Sequence, residues 1–304
     1  MTTTSVELVC PHCHGPLRRQ PEIIQCQKCA AQFGYEDGIP NLVVGGRFDD
    51  ENNEARCAYE TDSNEYLTRN YLIPLFRKRL ASISQPRLLS LGCGVGIDVD
   101  LLSEAGFDAS GIDCGNRAKE WQKRQCASRL SLANGKALPF EDRTFDLVYC
   151  GCVFPHVGVD GDSNRVTPGF LSERLTIARE MTRVLKPGGS VMVSSPNRLF
   201  PLDLFHGRSE TQPMPRWNPP TSRFLLSQGD YRSLFQQAGC DQFELLPVAG
   251  YWGFLRKKQS LKGRLVTWPV RTVFNLVSRE SWRFLRPSII NPWLVMMMSL
   301  PHSD

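Results

Sequence analysis

Leu88-Leu89-Ser90-Leu91-Gly92-Cys93-Gly94-Val95-Gly96, followed by Gly111-Ile112-Asp113, decides how this 304-residue chain is read. A mostly apolar strand runs into a turn with three glycines, and glycine belongs where a Cβ would strike a ligand or where φ is positive. A carboxylate about 20 residues after such a turn suits a pair of ribose hydroxyls. Strand, turn and the acid that closes a second strand over residues 109–112 predict the start of an open α/β nucleotide-binding sheet. A dinucleotide-dependent dehydrogenase would show Gly-x-Gly-x-x-Gly, and glycines at 92, 94 and 96 depart from that spacing.

Further segments follow in order: residues 133–140 (ANGKALPF), 145–150 (FDLVYC), 180–189 (EMTRVLKPGG) and a strand over 190–195. Together with the glycine turn they resemble the motifs of class I S-adenosylmethionine-dependent methyltransferases, in particular the subgroup that includes the quinone-biosynthesis methyltransferases, over residues 85–245. The resemblance implies a Rossmann-like α/β fold with a seven-stranded sheet and S-adenosylmethionine as cofactor. It implies that Gly92, Cys93, Gly94 and Gly96 pass beneath the methionine part, that Asp113 takes the ribose, and that Asn134 and Gly135 meet the adenine. Asp113 is also suited to favour the N-terminus of a helix beginning near Asn116. Asp98 has two equal readings, a contact to the cofactor amino group or stabilisation of its own helix dipole. Two positions depart from the family: Ser90 and Asn134 stand where an acid is usual.

Eleven cysteines are present. Cys10-Pro-His-Cys13 and Cys26-Gln-Lys-Cys29 are paired knuckles whose four thiolates suit a closed, tetrahedral structural zinc site. The expected domains are a zinc ribbon over 1–46, an acidic linker over 47–65 and a methyltransferase domain over 66–304. The ribbon resembles the small domain of tRNA-methyltransferase activator proteins. His12 and His14 are expected at exposed knuckle positions, and the other seven cysteines as reduced thiols. No secretory signal pattern and no apolar run of spanning length is apparent, so the expected place is the cytoplasm.

Charge sharpens the partner question. Residues 1–45 hold Arg18, Arg19 and Lys28 against Glu7, Glu22, Glu36 and Asp37, a net −1; a phosphate-gripping module should be basic. Nucleic acid is therefore disfavoured, and the ribbon is expected to brace the fold or meet a protein partner. From Tyr251 onward nine basic residues face two acidic ones. There the usual fold is interrupted by a basic insertion (251–288) between a sixth strand (243–248) and a last strand (289–298). A helix beginning at Pro269 would carry Val270, Val273, Phe274, Val277, Phe284 and Leu285 on one face and Arg271, Arg279, Arg283 and Arg286 on the other. That face would be solvated, guide the acceptor, or touch an anionic membrane through 256–286, at the inner membrane surface.

For the reaction, His156 and His206, the latter near Asp203, are the candidate catalytic groups, each with loop structure as the plainer reading; Asn197 and Arg198 are candidate substrate contacts. The expected function is methyl transfer to oxygen, or secondarily nitrogen or carbon, of a small or lipid-linked metabolite. The alternatives are an RNA methyltransferase and a non-catalytic scaffold that keeps the fold.

Overall fold

The computed structural model describes residues 6–47, 54–160, 164–204, 206, 216–252 and 261–302, without the side chains of 261–267. Strands β1 (Leu17–Arg19), β2 (Ile24–Cys26), β3 (Gln32–Glu36) and β4 (Ile39–Asn41) come first. Helix α1 (Glu54–Leu67), a π-helical turn (Thr68–Leu72) and α2 (Ile73–Arg79) lead into β5 (Arg87–Leu91). Then come α3 (Ile97–Glu104), β6 (Asp108–Asp113), α4 (Ala118–Trp121), β7 (Leu130–Leu132) and β8 (Phe145–Gly151). Helix α5 (Phe170–Arg183), β9 (Leu185–Pro196), β10 (Leu202–Asp203) and β11 (Arg216–Trp217) follow. The described chain finishes with α6 (Gln228–Gln237), β12 (Gln242–Leu245), α7 (Leu261–Ser278) and β13 (Trp293–Ser299).

The main sheet has eleven strands, not seven, in the order β1-β2-β3-β4-β7-β6-β5-β8-β9-β13-β12. The extra four belong to the cysteine module, which continues the sheet edge because β4 pairs in parallel with β7 at Asn41 and Leu132. Joining the edge satisfies backbone groups that an exposed strand would leave open. Strands β5 to β9 run parallel, while β13 is antiparallel to both β9 and β12. Alternation along β5 sends Leu89 and Leu91 into one apolar layer and Leu88 into the other, the period-2 consequence of a strand covered on both faces.

Several expected boundaries move. The linker assigned to 47–65 is helical from Glu54, and residues 48–53 lie outside the described residues. Apolar residues at 67, 71, 72, 75, 76, 80 and 83 have the spacing of one continuous helix, but it is broken by the π turn. Pro269 lies inside α7 instead of opening it, and the last strand starts at Trp293, since Pro287 and Pro292 interrupt a ladder before it. Phe274 and Val277 are buried as expected, but Phe284 is 64% exposed and lies in a separate 3-10 turn. Arg286 leaves the solvated face altogether. It is buried and donates to the carbonyls of Val277, Ser278 and Leu245, closing the end of α7 against β12.

Helix α6 begins with a reciprocal capping box: Ser227 Oγ accepts from Asp230 N, and Asp230 Oδ2 accepts from Ser227 N at 2.7 Å. Asn197 and Arg198 prove to be structural. Asn197 is 1% exposed and donates to the carbonyls of Ser288 and Asn291, both at 2.9 Å; Arg198 pairs with Asp230 at 3.1 Å.

Candidate active site

The turn after β5 is shaped by its glycines. Gly92 has φ +76°, and a Cβ there would overlap the Val153 side chain. Its N–H and that of Cys93 both donate to Ile112 O, at 2.9 and 3.0 Å, which tie the turn to the end of β6. Asp113 stands at that end, its carboxylate accepting from Gly94 N at 3.0 Å and Gly115 N at 2.7 Å. A cavity of about 560 Å³ opens here, within the size range of small-molecule sites. Gly92, Gly94, Asp113, Asn134 and Gly135 all line it, so loops remote in sequence meet at the carboxyl ends of the parallel strands.

The cysteine module reaches the same cavity. Gly45, Gly46 and Arg47 form part of its wall. Asn134 Nδ2 donates to Gly46 O at 3.1 Å, and its Oδ1 accepts from Lys136 N at 3.0 Å. Arg47 forms a bidentate pair with Glu36, which holds that carboxyl below its usual range. Helix α1 supplies a residue that motif reading missed: Glu60 Oε1 accepts from Val95 N at 3.0 Å and lies where a Gly94 Cβ would be. No motif marked Glu60, because only the fold of α1 over the glycine turn brings it there.

Asp98 does not line the larger cavity. It is 6% exposed and borders a smaller one of about 70 Å³ that shares Gly92 with the first. Ser90 Oγ donates to Asp98 Oδ2 at 2.6 Å and Tyr149 Oη donates to the same oxygen. Oδ1 has no partner among the described residues. Burial raises the Asp98 pKa against the help of these donors. An orphaned carboxylate oxygen beside a cavity is expensive and fits an incoming cationic donor such as an ammonium group. Cys93 borders this smaller space too.

Cys152 and His156 also line the larger cavity. His156 lies in a 3-10 turn after β8, and its ring meets that of His206 at 5.0 Å and that of Phe224 at 5.7 Å. His206 Nδ1 is 2.9 Å from Asp203 Oδ2, and Nε2 is 3.5 Å from Cys152 Sγ. Asp203 is fully buried and also accepts from Arg216 at 2.8 and 3.1 Å. The structure thus brings all three sequence candidates together. Burial and the neighbouring His206 charge push the His156 pKa down to about 3. Burial also opposes charge on His206, but the Cys152 sulfur and Asp203 outweigh it and push the pKa up to about 10. Both values lie away from the neutral range that suits a free general base.

Arg174, 3% exposed on α5, ties this corner together. It donates to Pro155 O and Val157 O on the His156 turn and to Arg223 O and Phe224 O on the segment packed against both histidines.

In the N-terminal module, Cys10 Sγ and Cys29 Sγ are 3.7 Å apart, and Cys13 Sγ and Cys26 Sγ 3.5 Å. Zinc–sulfur bonds of about 2.3 Å at tetrahedral angles give sulfur edges of about 3.8 Å, so the cluster fits that ion. The N–H groups of Cys29 and Lys28 point at Cys26 Sγ and pull its pKa down to about 6. His12 and His14 are exposed outside the cluster.

Residues 89–193 match the profile of a methyltransferase domain. The chain therefore carries an S-adenosylmethionine-dependent methyltransferase domain. It is 28% identical over 147 residues to 2-methyl-6-phytyl-1,4-hydroquinone methyltransferase of Synechocystis, a match spanning 46% of this chain and 39% of that relative's length. It is 26% identical over 227 residues to an O-methyltransferase of Aspergillus nomiae, covering 70% of this chain and 86% of that one. A solved methyltransferase from Aquifex aeolicus superposes with a TM-score of 0.43 at 16% identity, over 64% of this chain and 93% of the other.

Proposed function

We propose that the whole chain is an S-adenosylmethionine-dependent methyltransferase whose acceptor is an oxygen of a small or lipid-linked metabolite. The observation that carries this reading is one cavity lined by the glycine turn, Asp113 and Asn134 together with Cys152 and His156. The cofactor supplies a methyl group already activated on a sulfonium, so the protein has to bind, align and keep water out. Asp113 is suited to the ribose hydroxyls, Gly135 to the adenine, and the orphaned oxygen of Asp98 to the amino group. Cys152 and His156 border the acceptor space, and His206, held by Asp203, packs behind them.

The cysteine module is assigned a structural zinc on Cys10, Cys13, Cys26 and Cys29, with the ribbon over 1–46 and the methyltransferase domain from residue 54, where helix α1 begins. The module's Gly46 carbonyl, bonded by Asn134, makes it a brace for the adenine contacts. An oxygen acceptor agrees with the activity named for the Aspergillus relative, and a lipid-linked one with the phytyl-bearing hydroquinone named for the Synechocystis relative. A lipid-linked acceptor also fits the exposed surface beyond β12, where Trp268, Trp282, Phe284, Ile289 and Ile290 stand out among exposed Arg271, Arg279 and Arg283. No helix among the described residues is long and apolar enough to cross a membrane, so this contact would be peripheral. Residues 256–260 of the expected contact lie outside the described residues.

The test is calorimetric titration of the zinc-loaded protein with S-adenosylhomocysteine. Asp113→Ala should weaken binding by about 2 kcal/mol, roughly 30-fold, the worth of hydrogen bonds to a charged acceptor. No binding to a folded wild type would move the assignment to the non-catalytic scaffold.

A further inference from the structure

We propose that Cys152, His156 and His206 form a three-ligand site for a divalent zinc ion, separate from the four-cysteine site, with its open position turned toward the larger cavity. One ligand atom from each residue lies within 4.8 Å of the others. The Cys152 Sγ to His206 Nε2 distance of 3.5 Å matches the edge of about 3.6 Å expected when zinc–sulfur and zinc–nitrogen bonds of about 2.3 and 2.05 Å meet at a tetrahedral angle. One thiolate and two imidazoles are a donor set that suits zinc.

The surroundings are built for ligation. A metal-binding imidazole usually gives its second nitrogen to a carboxylate, which fixes the tautomer and aims the first. His206 does this: Nδ1 faces Asp203 Oδ2 at 2.9 Å, leaving Nε2 toward Cys152. Asp203 is immobilised in turn by both Arg216 contacts and by the backbone N–H of His206 at 3.1 Å. Arg216 sits over the Phe224 ring at 4.7 Å, and that ring's edges wall both imidazoles.

The Cys152 backbone adds an independent observation. Its φ is +58°, in the left-handed region, and its N–H is fixed to Ser194 O at 2.8 Å. A non-glycine residue held there costs free energy, and such positions concentrate at functional sites. Glycine would relieve the strain; the side chain that stands here instead carries a sulfur facing His206 Nε2.

Three protein ligands and a fourth open position are the pattern of a reactive zinc, as four sulfurs are of a structural one. Cys152 and His156 border the larger cavity, so the open position faces the acceptor. The chemical role rests on the methyltransferase reading above. There the ion would be held by the Cys152 thiolate and the two neutral imidazoles, their ligand protons passing to solvent on binding, and would bind the acceptor hydroxyl oxygen and lower its pKa so that its proton passes to solvent and the oxygen is methylated as the anion.

The experiment is metal analysis of the full chain after zinc loading and gel filtration, comparing wild type with Cys152→Ala and His156→Gln. Each variant should hold one zinc fewer per chain than the wild type, with the four-cysteine site unaffected. Equal counts in wild type and both folded variants would overturn the proposal. A wild-type zinc absorption spectrum fitted by sulfur ligands alone, with no nitrogen shell, would overturn it whether or not the variants fold. Neither readout depends on turnover. Two zinc ions with no methyl transfer would fail the functional reading and leave the site, while full turnover without the second ion would do the reverse.

Discussion

Arg174→Met removes a buried charge, and whether it destabilises depends on which of two opposed effects is larger. The guanidinium is 3% exposed and burial pulls its pKa down to about 10, so keeping it charged costs about 3 kcal/mol at 1.36 kcal/mol for each pH unit. Against that stand four bonds to backbone carbonyls, two of them at 2.9 Å. A hydrogen bond from a charged donor is worth about 1.5–3 kcal/mol, so the two short bonds alone offset the burial cost and the longer pair exceed it. Methionine fills much of the stem volume yet leaves those carbonyls without their donor. The net loss should be about 2 kcal/mol, or about 3 °C in Tm for a chain of this size. The assay is thermal unfolding followed by calorimetry, with cofactor-product affinity measured alongside. Arg174 borders neither cavity, so S-adenosylhomocysteine affinity should stay within about twofold, near the limit of a neutral surface change, while methyl transfer falls as the His156 turn and the Phe224 segment separate. An unchanged or raised Tm would refute the reasoning, showing that charge burial outweighs the carbonyl bonds as it does for some buried ion pairs.

Two other outcomes follow from contacts between distant segments. Asn134→Leu cuts the bond to Gly46 and should weaken S-adenosylhomocysteine binding about fivefold, the worth of roughly 1 kcal/mol; unchanged affinity would mean that the cysteine module does not brace the cavity. Arg271→Gln with Arg283→Gln should lower co-sedimentation with vesicles containing anionic phospholipid by about 2 kcal/mol, or roughly 30-fold, at about 1 kcal/mol for each cation, and equal binding of variant and wild type would remove the membrane from the acceptor's route.

What the sequence made legible were features that short-range chemistry encodes. The glycine turn, Asp113 and the Cys-x-x-Cys knuckles are local patterns, and each stands near where its spacing puts it. Long-range pairing was not legible. Nothing in residues 39–41 announces that they will pair with residue 132, because edge pairing needs only backbone groups and leaves no residue signature. Arg286 misled for a related reason: helical periodicity assigned it to a solvated face, but α7 ends at Ser278, and beyond that point the 100° rule no longer applies. Asn197 and Arg198 looked like substrate contacts because their loop follows β9, and only the fold reveals that the Ser288 and Asn291 carbonyls and the Asp230 carboxylate use them.

The departure at Ser90 shows how position-by-position reading can miss a conserved chemistry of space. The strand lacks the acid that resemblance leads one to expect, yet Asp98 returns from the first turn of α3 to hydrogen-bond Ser90, so a carboxylate occupies that neighbourhood from a different element. Burial raises its pKa, which means the charge is held at a cost and is stabilised when a cation arrives at the orphaned Oδ1. Asp98→Asn keeps shape and removes the charge. It should weaken S-adenosylhomocysteine, which carries the amino acid ammonium, by about tenfold or more at roughly 1.5–3 kcal/mol for a charged hydrogen bond. It should leave 5′-methylthioadenosine, which lacks that ammonium, unaffected. Equal losses for the two ligands would place Asp98 in the framework of the glycine turn and not in contact with the cofactor, because a structural defect cannot distinguish ligands that differ only at the amino acid end.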